Sequence, residues 1–446
     1  MISSPEVERR RLFRRMLRNA GHITGGNAVA VGLGMATLAV SAQMLGPALL
    51  GILAMIESYG KLIDQVVRFE TWQAIIRYGA GALERADRAA FARLVKLGMV
   101  LDYTGALLTA AIAFILVPVA GAWLGWDESA QDMARLYSVA LCFGVSSTPT
   151  GILRLFDHFA EIAWVPTVLA AIRLVGTALI WLLGGSLWPL MILVITLTCA
   201  ERIALNWFAW TLLRRNGYGR VLHTPLRGAS REFPGIAGFI IAANGTVLIR
   251  KSTQEFDILL VGRVAGPQGA GIYQLVRKLA LAATKAGGMI QQVVYPDLAR
   301  LWARRDYAGF LHAIGRIEAV TALFGVTIAL VFVFAGEHLI RLIGGNGFED
   351  AIVPLTVQSL AALLFVSGSA LRPALMATGH QMQMLWIVLV SGVVFYVVLF
   401  LAVPHFGVVG ASIAHVAFNL VWLPASLLLF ASIMRRASAA TDLPPD

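Results

Sequence analysis

Hydrophobic positions fall in long blocks. From about residue 22 to about residue 434, apolar stretches of roughly 20 residues are separated by short polar breaks. The blocks are continuously apolar and do not alternate, which predicts membrane-spanning helices and argues against a β-barrel. The pattern gives twelve spans: about 22–45, 49–76, 93–120, 132–156, 160–184, 188–213, 234–262, 268–297, 309–335, 350–377, 382–403 and 407–433. Spans two and eight are the least hydrophobic. The predicted fold class is all-α and polytopic.

The connections support this count. Alternate loops carry the basic residues: Arg77, Arg85, Arg88 and Arg93 after span two, Arg154 after span four, and Arg214, Arg215, Arg220, Arg227 and Arg231 after span six. The series continues with Arg300, Arg304 and Arg305, then Arg372, then Arg435 and Arg436. The intervening loops are short and poor in basic residues. By the positive-inside rule, both termini are predicted to lie in the cytoplasm.

A ten-residue skeleton occurs twice. Gln43–Ile52 reads QMLGPALLGI and Arg263–Ile272 reads RVAGPQGAGI, an offset of 220 residues in a chain of 446. Pro cannot continue a helix and Gly tolerates a tight bend, so each Gly-Pro is expected to be a turn between two spans. An even number of spans per half makes this a parallel repeat, two six-helix lobes around a central cavity. The expected domains are a basic segment 1–21, an N-terminal lobe 22–213, a linker 214–233 with Gly217, Gly219, Pro225 and Gly228, a C-terminal lobe 234–434 and a polar tail 435–446.

Composition agrees. The chain is 58% hydrophobic and only 14% charged, and its mean hydropathy is +0.75. A net charge of +11 would suggest nucleic acid in a soluble protein; here it is assigned to cytoplasmic loops, and no nucleic-acid partner is expected. The N-terminal Arg9, Arg10, Arg11, Arg14, Arg15 and Arg18 lack a following cleavage site and read as a cytoplasmic anchor. Cys142 and Cys199 both lie in apolar spans without metal-ligand spacing.

Ionisable groups inside spans are costly and mark function by default. In span two, Glu57, Lys61, Asp64 and Arg68 fall within roughly 60° of helical arc, with Gln65 beside them. Glu57–Lys61 and Asp64–Arg68 are each spaced for a self-neutralising ladder. In span eight, Gln274, Lys278, Lys285 and Gln292 share one face with Arg277 on its flank, and no acid precedes Asp297. Those cations are therefore expected to need an outside partner. Span seven adds Arg250, Lys251, Glu255 and Asp257. Across these three spans, seven basic groups face four acids, which suits a phosphate or pyrophosphate. Arg173, Arg202, Glu201 and Asp102 are expected to be structural. His22, His338, His380, His405 and His415 show no ligand spacing, so no metal site or cofactor is expected. No phosphate-binding loop, nucleophile elbow or zinc-protease motif occurs, so no enzyme is predicted.

The stretch Leu45-Gly46-Pro47…Gly51-Ile52, continuing to Phe69-Glu70-Thr71-Trp72-Gln73, resembles the polysaccharide-biosynthesis, O-antigen flippase-like proteins. Asp257–Arg263, Gly266-Pro267…Gly271-Ile272-Tyr273 and Tyr295-Pro296 resemble the second half of the same family. That family belongs to the multidrug/oligosaccharidyl-lipid/polysaccharide exporter superfamily. The resemblance implies a V-shaped pair of bundles in a bacterial inner membrane. It also implies export of a polysaccharide, O-antigen or lipopolysaccharide precursor linked to a polyprenyl pyrophosphate carrier. Membrane lipids, a glycan polymerase and glycosyltransferases are the implied partners.

On this reading Arg277, Lys278 and Lys285 hold the pyrophosphate, with Arg250, Lys251, Lys61 and Arg68 as further substrate-binding candidates. Asp64, Glu57 and Asp257 are the candidates for coupling to a proton, sodium ion or membrane potential. Two alternatives stay open. A multidrug or cation antiporter should carry unpaired acids in its cavity. A non-transporting partner of a polysaccharide assembly complex should use its polar stripes for helix packing.

Overall fold

The computed structural model describes the backbone of residues 5–226, 232–241, 244 and 255–441, and their side chains except at 5–24, 27, 286–297, 299, 303 and 438–441. Among these residues the chain is helical and contains no strand. The helices are α1 (Pro5–Val67), α2 (Trp72–Glu84), α3 (Arg88–Leu124), α4 (Glu128–Ala140), α5 (Ser147–Leu155), α6 (Phe159–Leu182) and α7 (Leu187–Arg215). After these come α8 (Phe256–Ala303), α9 (Tyr307–Gly344), α10 (Ile352–Ser367), α11 (Leu371–Ala377) and α12 (Gln381–Thr441). Eight described stretches are long and apolar enough to cross a membrane, and the longest hold two passes each. Two compact units result: Met1–Val40 with Ile56–Glu255, and Ser41–Met55 with Phe256–Asp446.

Unbroken, the 63 residues of α1 would reach roughly 95 Å, about three bilayer cores. One residue divides it. Gly46 has φ 68° and ψ 176°, a region that only glycine occupies without strain. In α8, Gly266 adopts φ 71° and ψ −178°. The prolines that follow open the next helix, where a missing N–H costs nothing and a fixed φ helps. The expected turns are thus one-residue kinks, and proline starts the second helix rather than ending the first. Gly407 (φ 54°) divides α12 in the same manner between spans eleven and twelve.

The rest of the skeleton has its own reason. In the second unit the two Gly-Pro segments cross. A Cβ on Gly51 would overlap the carbonyl oxygen of Pro267, and one on Gly271 would overlap that of Pro47. The contact is reciprocal, backbone on backbone. It explains why glycine recurs four residues after each proline.

Spans four and ten are broken, and each break is held by an acid on a neighbouring helix, buried at Asp102 and half-buried at Glu318. Between α4 and α5, the Asp102 carboxylate on α3 accepts the Thr148 backbone N–H at 2.6 Å and the Thr71 hydroxyl at 2.7 Å. Between α10 and α11, Glu318 on α9 accepts the Ala370 backbone N–H at 3.0 Å. Both acids satisfy orphan donors at a helix start. Asp102 is 1% exposed, so Asp102→Ala would leave Thr148 without an acceptor. It is expected to cost about 3 kcal/mol, measured as a lower midpoint of unfolding in detergent.

The first unit has its core where α2, α3, α5 and α7 meet, around Ile75, Phe91, Leu94, Ile152 and Leu213. The chain beyond α7 adds to it. Val221, Phe233, Ile236 and Ile240 are buried in the same core. Arg93 donates to both Glu232 carboxylate oxygens at 2.5 Å, and Lys96 donates to the Thr224 carbonyl at 2.7 Å. The described parts of segment 214–241 are therefore strapped to α2 and α3. Opposite the core, α6 exposes Val168, Val175, Leu179 and Leu182, as a lipid-facing helix does.

Candidate functional site

The first polar stripe lies in the first unit. Glu57 accepts from Lys61 at 2.8 Å and from Arg173 of α6 at 3.1 Å. Arg68 pairs with Asp64 at 2.5 Å. The self-neutralising ladder is thus present, and Arg173 adds a second cation to Glu57. The helix ends at Val67, just where the stripe turns into a polar cavity. That cavity, of about 260 Å³, is lined by Asp64, Gln65, Arg68 and Glu70, by Trp72, Ser146, Ser147, Thr150 and Arg154, and by Arg202 and Asn244.

Three different elements place guanidinium groups here. Arg154, in the last turn of α5, lies 4.3 Å from the Trp72 ring centroid. Arg202 on α7 donates to the Ser146 hydroxyl at 2.5 Å. Neither forms an ion pair with a described residue, whereas Arg68 does. Trp72 donates to Glu70 at 2.8 Å, and the Asn244 side chain accepts the Glu70 backbone N–H at 2.6 Å. The sequence pattern places Arg154 at the start of the loop after span four and reads Arg202 as structural; in the structure both line this cavity. The signal is in the spacing: Arg202 and Asn206 lie four apart on a mostly apolar helix, hence on one face.

The second unit holds a fully buried acid. Asp257 at the start of α8 is 0% exposed. Its carboxylate accepts the Ile258 N–H at 2.8 Å and the Tyr273 hydroxyl at 2.7 Å. The His415 Nε2 lies 3.2 Å from it, and the Arg277 guanidinium 3.5 Å. The kink at Gly266 folds the two arms of α8 back on each other, which brings Asp257 to residues 273 and 277. The second stripe is consequently not bare positive at Arg277, as its spacing suggested. Its partner comes from span seven of the same unit. Gln274 is also buried, whereas Lys278 and Lys285, on the same face, are exposed. Lys285 forms no ion pair with a described residue. Arg250 and Lys251 lie outside the described residues, as does the side chain of Gln292.

A helical bundle divided into two units, kinked at repeated Gly-Pro sites and carrying ionisable networks within its spans, has the fold of a multi-pass membrane transporter. It superimposes on the inward closed conformation of the lipid II flippase MurJ with a TM-score of 0.67 at 12% identity, covering 95% of this chain and 93% of that one. An inward-facing multidrug resistance MATE family transporter of the MOP superfamily gives 0.66 at 15% identity, covering 96% of each chain. Both are transporters rather than enzymes. The chain belongs to the polysaccharide biosynthesis protein family, whose model matches residues 16–302. A curated relative, the inner membrane protein YghQ of Escherichia coli (strain K12), is 27% identical over 339 residues, covering 76% of this chain and 95% of that protein.

Proposed function

We propose that the chain is a flippase or exporter that moves a polyprenyl-pyrophosphate-linked oligosaccharide across a bacterial inner membrane by alternating access, with both termini cytoplasmic. The cargo class is a precursor of O-antigen, lipopolysaccharide or a related polysaccharide, and the working partners are the glycosyltransferases and polymerase that make and use it. One observation carries the reading: Arg154, Arg202 and Lys285 sit in membrane-embedded helices and form no ion pair with a described residue. Cations in that setting call for an anion from outside the protein. A pyrophosphate offers several oxygens to guanidinium and ammonium donors. The family match and the MurJ-like fold support the same class.

In this reading Lys278 and Lys285 hold the pyrophosphate, Arg277 stands behind them on Asp257, and Lys61 and Arg68 act within their own ion pairs. Arg250 and Lys251 remain candidates by sequence position. Coupling to a proton, sodium ion or membrane potential would run through Glu57, Asp64 or Asp257. The double variant Lys278→Ala/Lys285→Ala is expected to slow flipping of a fluorescent lipid-linked oligosaccharide in proteoliposomes more than roughly tenfold at unchanged protein level. That estimate follows from losing two charge-assisted hydrogen bonds. Wild-type rates in that assay would sink the assignment.

A further inference from the structure

The first unit also carries an apolar groove of about 540 Å³, within the roughly 300–1,000 Å³ usual for ligand pockets. Two helices form its long walls. On α7, Ile203, Trp207 and Trp210 lie on one face, and on α3 Met99 and Tyr103 are four apart. No Asp, Glu, Lys or Arg lines the groove, and Tyr103, Ile203, Trp207 and Leu222 are exposed, so it is open. Both stripes run into cations at the same end. Phe91 packs on Tyr218 with ring centroids 4.8 Å apart, so the start of α3 and the end of α7 lie together. There Lys96, on the face of Met99 and Tyr103, donates to the Thr224 carbonyl at 2.7 Å. Arg214, one turn beyond Trp210, has its guanidinium 5.5 Å from that ring centroid. Gly219 lies against the Arg214 stem, where a Cβ would sit 3.6 Å from Cγ, and Arg220 follows it. Leu222, between Arg220 and Thr224, lines the groove. Lys96, Arg214 and Arg220 form no ion pair with a described residue. The sequence holds no acid between Glu201 and Glu232. Glu232 is taken by Arg93, Asp87 caps α3 through the Ala90 N–H, and Asp102 holds Thr71 and Thr148.

From this juxtaposition we infer that the groove is a binding site for a resident anionic glycerophospholipid, distinct from any cargo. One acyl chain lies along Tyr103 and Trp207, and the phosphate rests on Lys96, Arg214 and Arg220. Charge complementarity selects the occupant: an uncharged groove ends in three cations with no acid of their own, which matches one anionic headgroup on an apolar chain. Basic clusters between helices on the cytoplasmic side hold such headgroups. Trp and Tyr suit the depth at which headgroup meets chain. On the topology proposed above this end faces the cytoplasm, so the lipid belongs to the cytoplasmic leaflet. Bound there, it ties α3, α7 and segment 217–224 together.

The test uses the full chain in phosphatidylcholine nanodiscs holding a trace of phosphatidylglycerol with a diazirine midway along one acyl chain. Cross-links are expected on Tyr103 and Trp207, at least about tenfold stronger than with phosphatidylcholine bearing the same probe. Lys96→Gln/Arg214→Gln/Arg220→Gln should erase that preference, and Gln at position 96 can still donate to Thr224. Arg214→Gln/Arg220→Gln changes two exposed side chains only and should lower labelling about fivefold or more, which keeps the test open if the triple variant folds poorly. Ile203→Trp narrows the groove from an exposed position and should block labelling at an unchanged melting temperature. Equal labelling by the two lipids would show an ordinary lipid-facing surface and overturn the inference, as would a preference that survives both charge variants. Polyprenyl phosphate displacing the probe better than unlabelled phosphatidylglycerol would give the groove to the carrier and overturn it too. Labelling needs no transport, so the two claims separate. Flipping without groove labelling removes only this site, whereas selective labelling without flipping supports the site and removes the proposed function.

Discussion

Gly51→Ala or Gly271→Ala should lower the yield of folded protein more than any other single methyl group added to this chain. The new Cβ would overlap a carbonyl oxygen of the opposite segment, Pro267 for Gly51 and Pro47 for Gly271. Both obstacles are main chain, so no rotamer change relieves them, and the two segments must move apart. Overpacking in a well-packed core costs roughly 1–3 kcal/mol, and a backbone-on-backbone crossing belongs at or above the top of that range. Gly46→Ala acts differently. Nothing lies near its Cβ, and its cost is the conformational strain of φ 68°, about 1–3 kcal/mol. The signature of the crossing is non-additivity. Once one methyl has opened it, the second collides less, so Gly51→Ala/Gly271→Ala should lose less than the sum of the single variants. Thermal unfolding of the full chain in detergent measures all four proteins. A wild-type midpoint for Gly51→Ala would show that the segments are not in contact.

The repeated Gly-Pro skeleton was visible in the sequence because it is local, and so were the kinks it produces. Hydrophobic blocks likewise located the spans, since lipid demands about twenty apolar residues whatever the partners are. The Glu57–Lys61 and Asp64–Arg68 pairs were legible for the same reason: a four-residue spacing puts both groups on one face. What spacing cannot report is a partner on another helix. Arg173 reaches Glu57 from α6, and Asp257 reaches Arg277 only because Gly266 folds α8 back. The breaks within spans four and ten were hidden too. Each is only a few residues inside a long apolar run, and the stabilising acids, Asp102 and Glu318, lie on other helices. Arg154 and Arg202 became a pair only when α5 and α7 were placed around one cavity.

Asp257→Ala should destabilise the second unit by about 3–5 kcal/mol, because the Arg277 guanidinium, 9% exposed, loses the carboxylate it faces. The loss exceeds that of a typical hydrogen bond, since Tyr273, His415 and the Ile258 N–H also lose their common acceptor. Asp257→Asn keeps an oxygen for two of those donors but removes the charge that faces Arg277, so it should fall between wild type and Asp257→Ala. The compensating change is Asp257→Ala/Arg277→Met. It removes both charges of the pair and fills the space with an apolar chain, so it should regain part of the lost stability. Unfolding midpoints of the three variants and the wild type test this ranking. A double variant less stable than Asp257→Ala alone would show that Arg277 is held mainly by other groups. The same set bears on transport. Each coupling candidate is already engaged by a cation: Glu57 by Lys61 and Arg173, Asp64 by Arg68, Asp257 by Arg277. An ion or proton that drives the cycle through any of them must displace that cation. Coupling in this chain would therefore be an exchange of partners rather than the filling of a vacant acidic site.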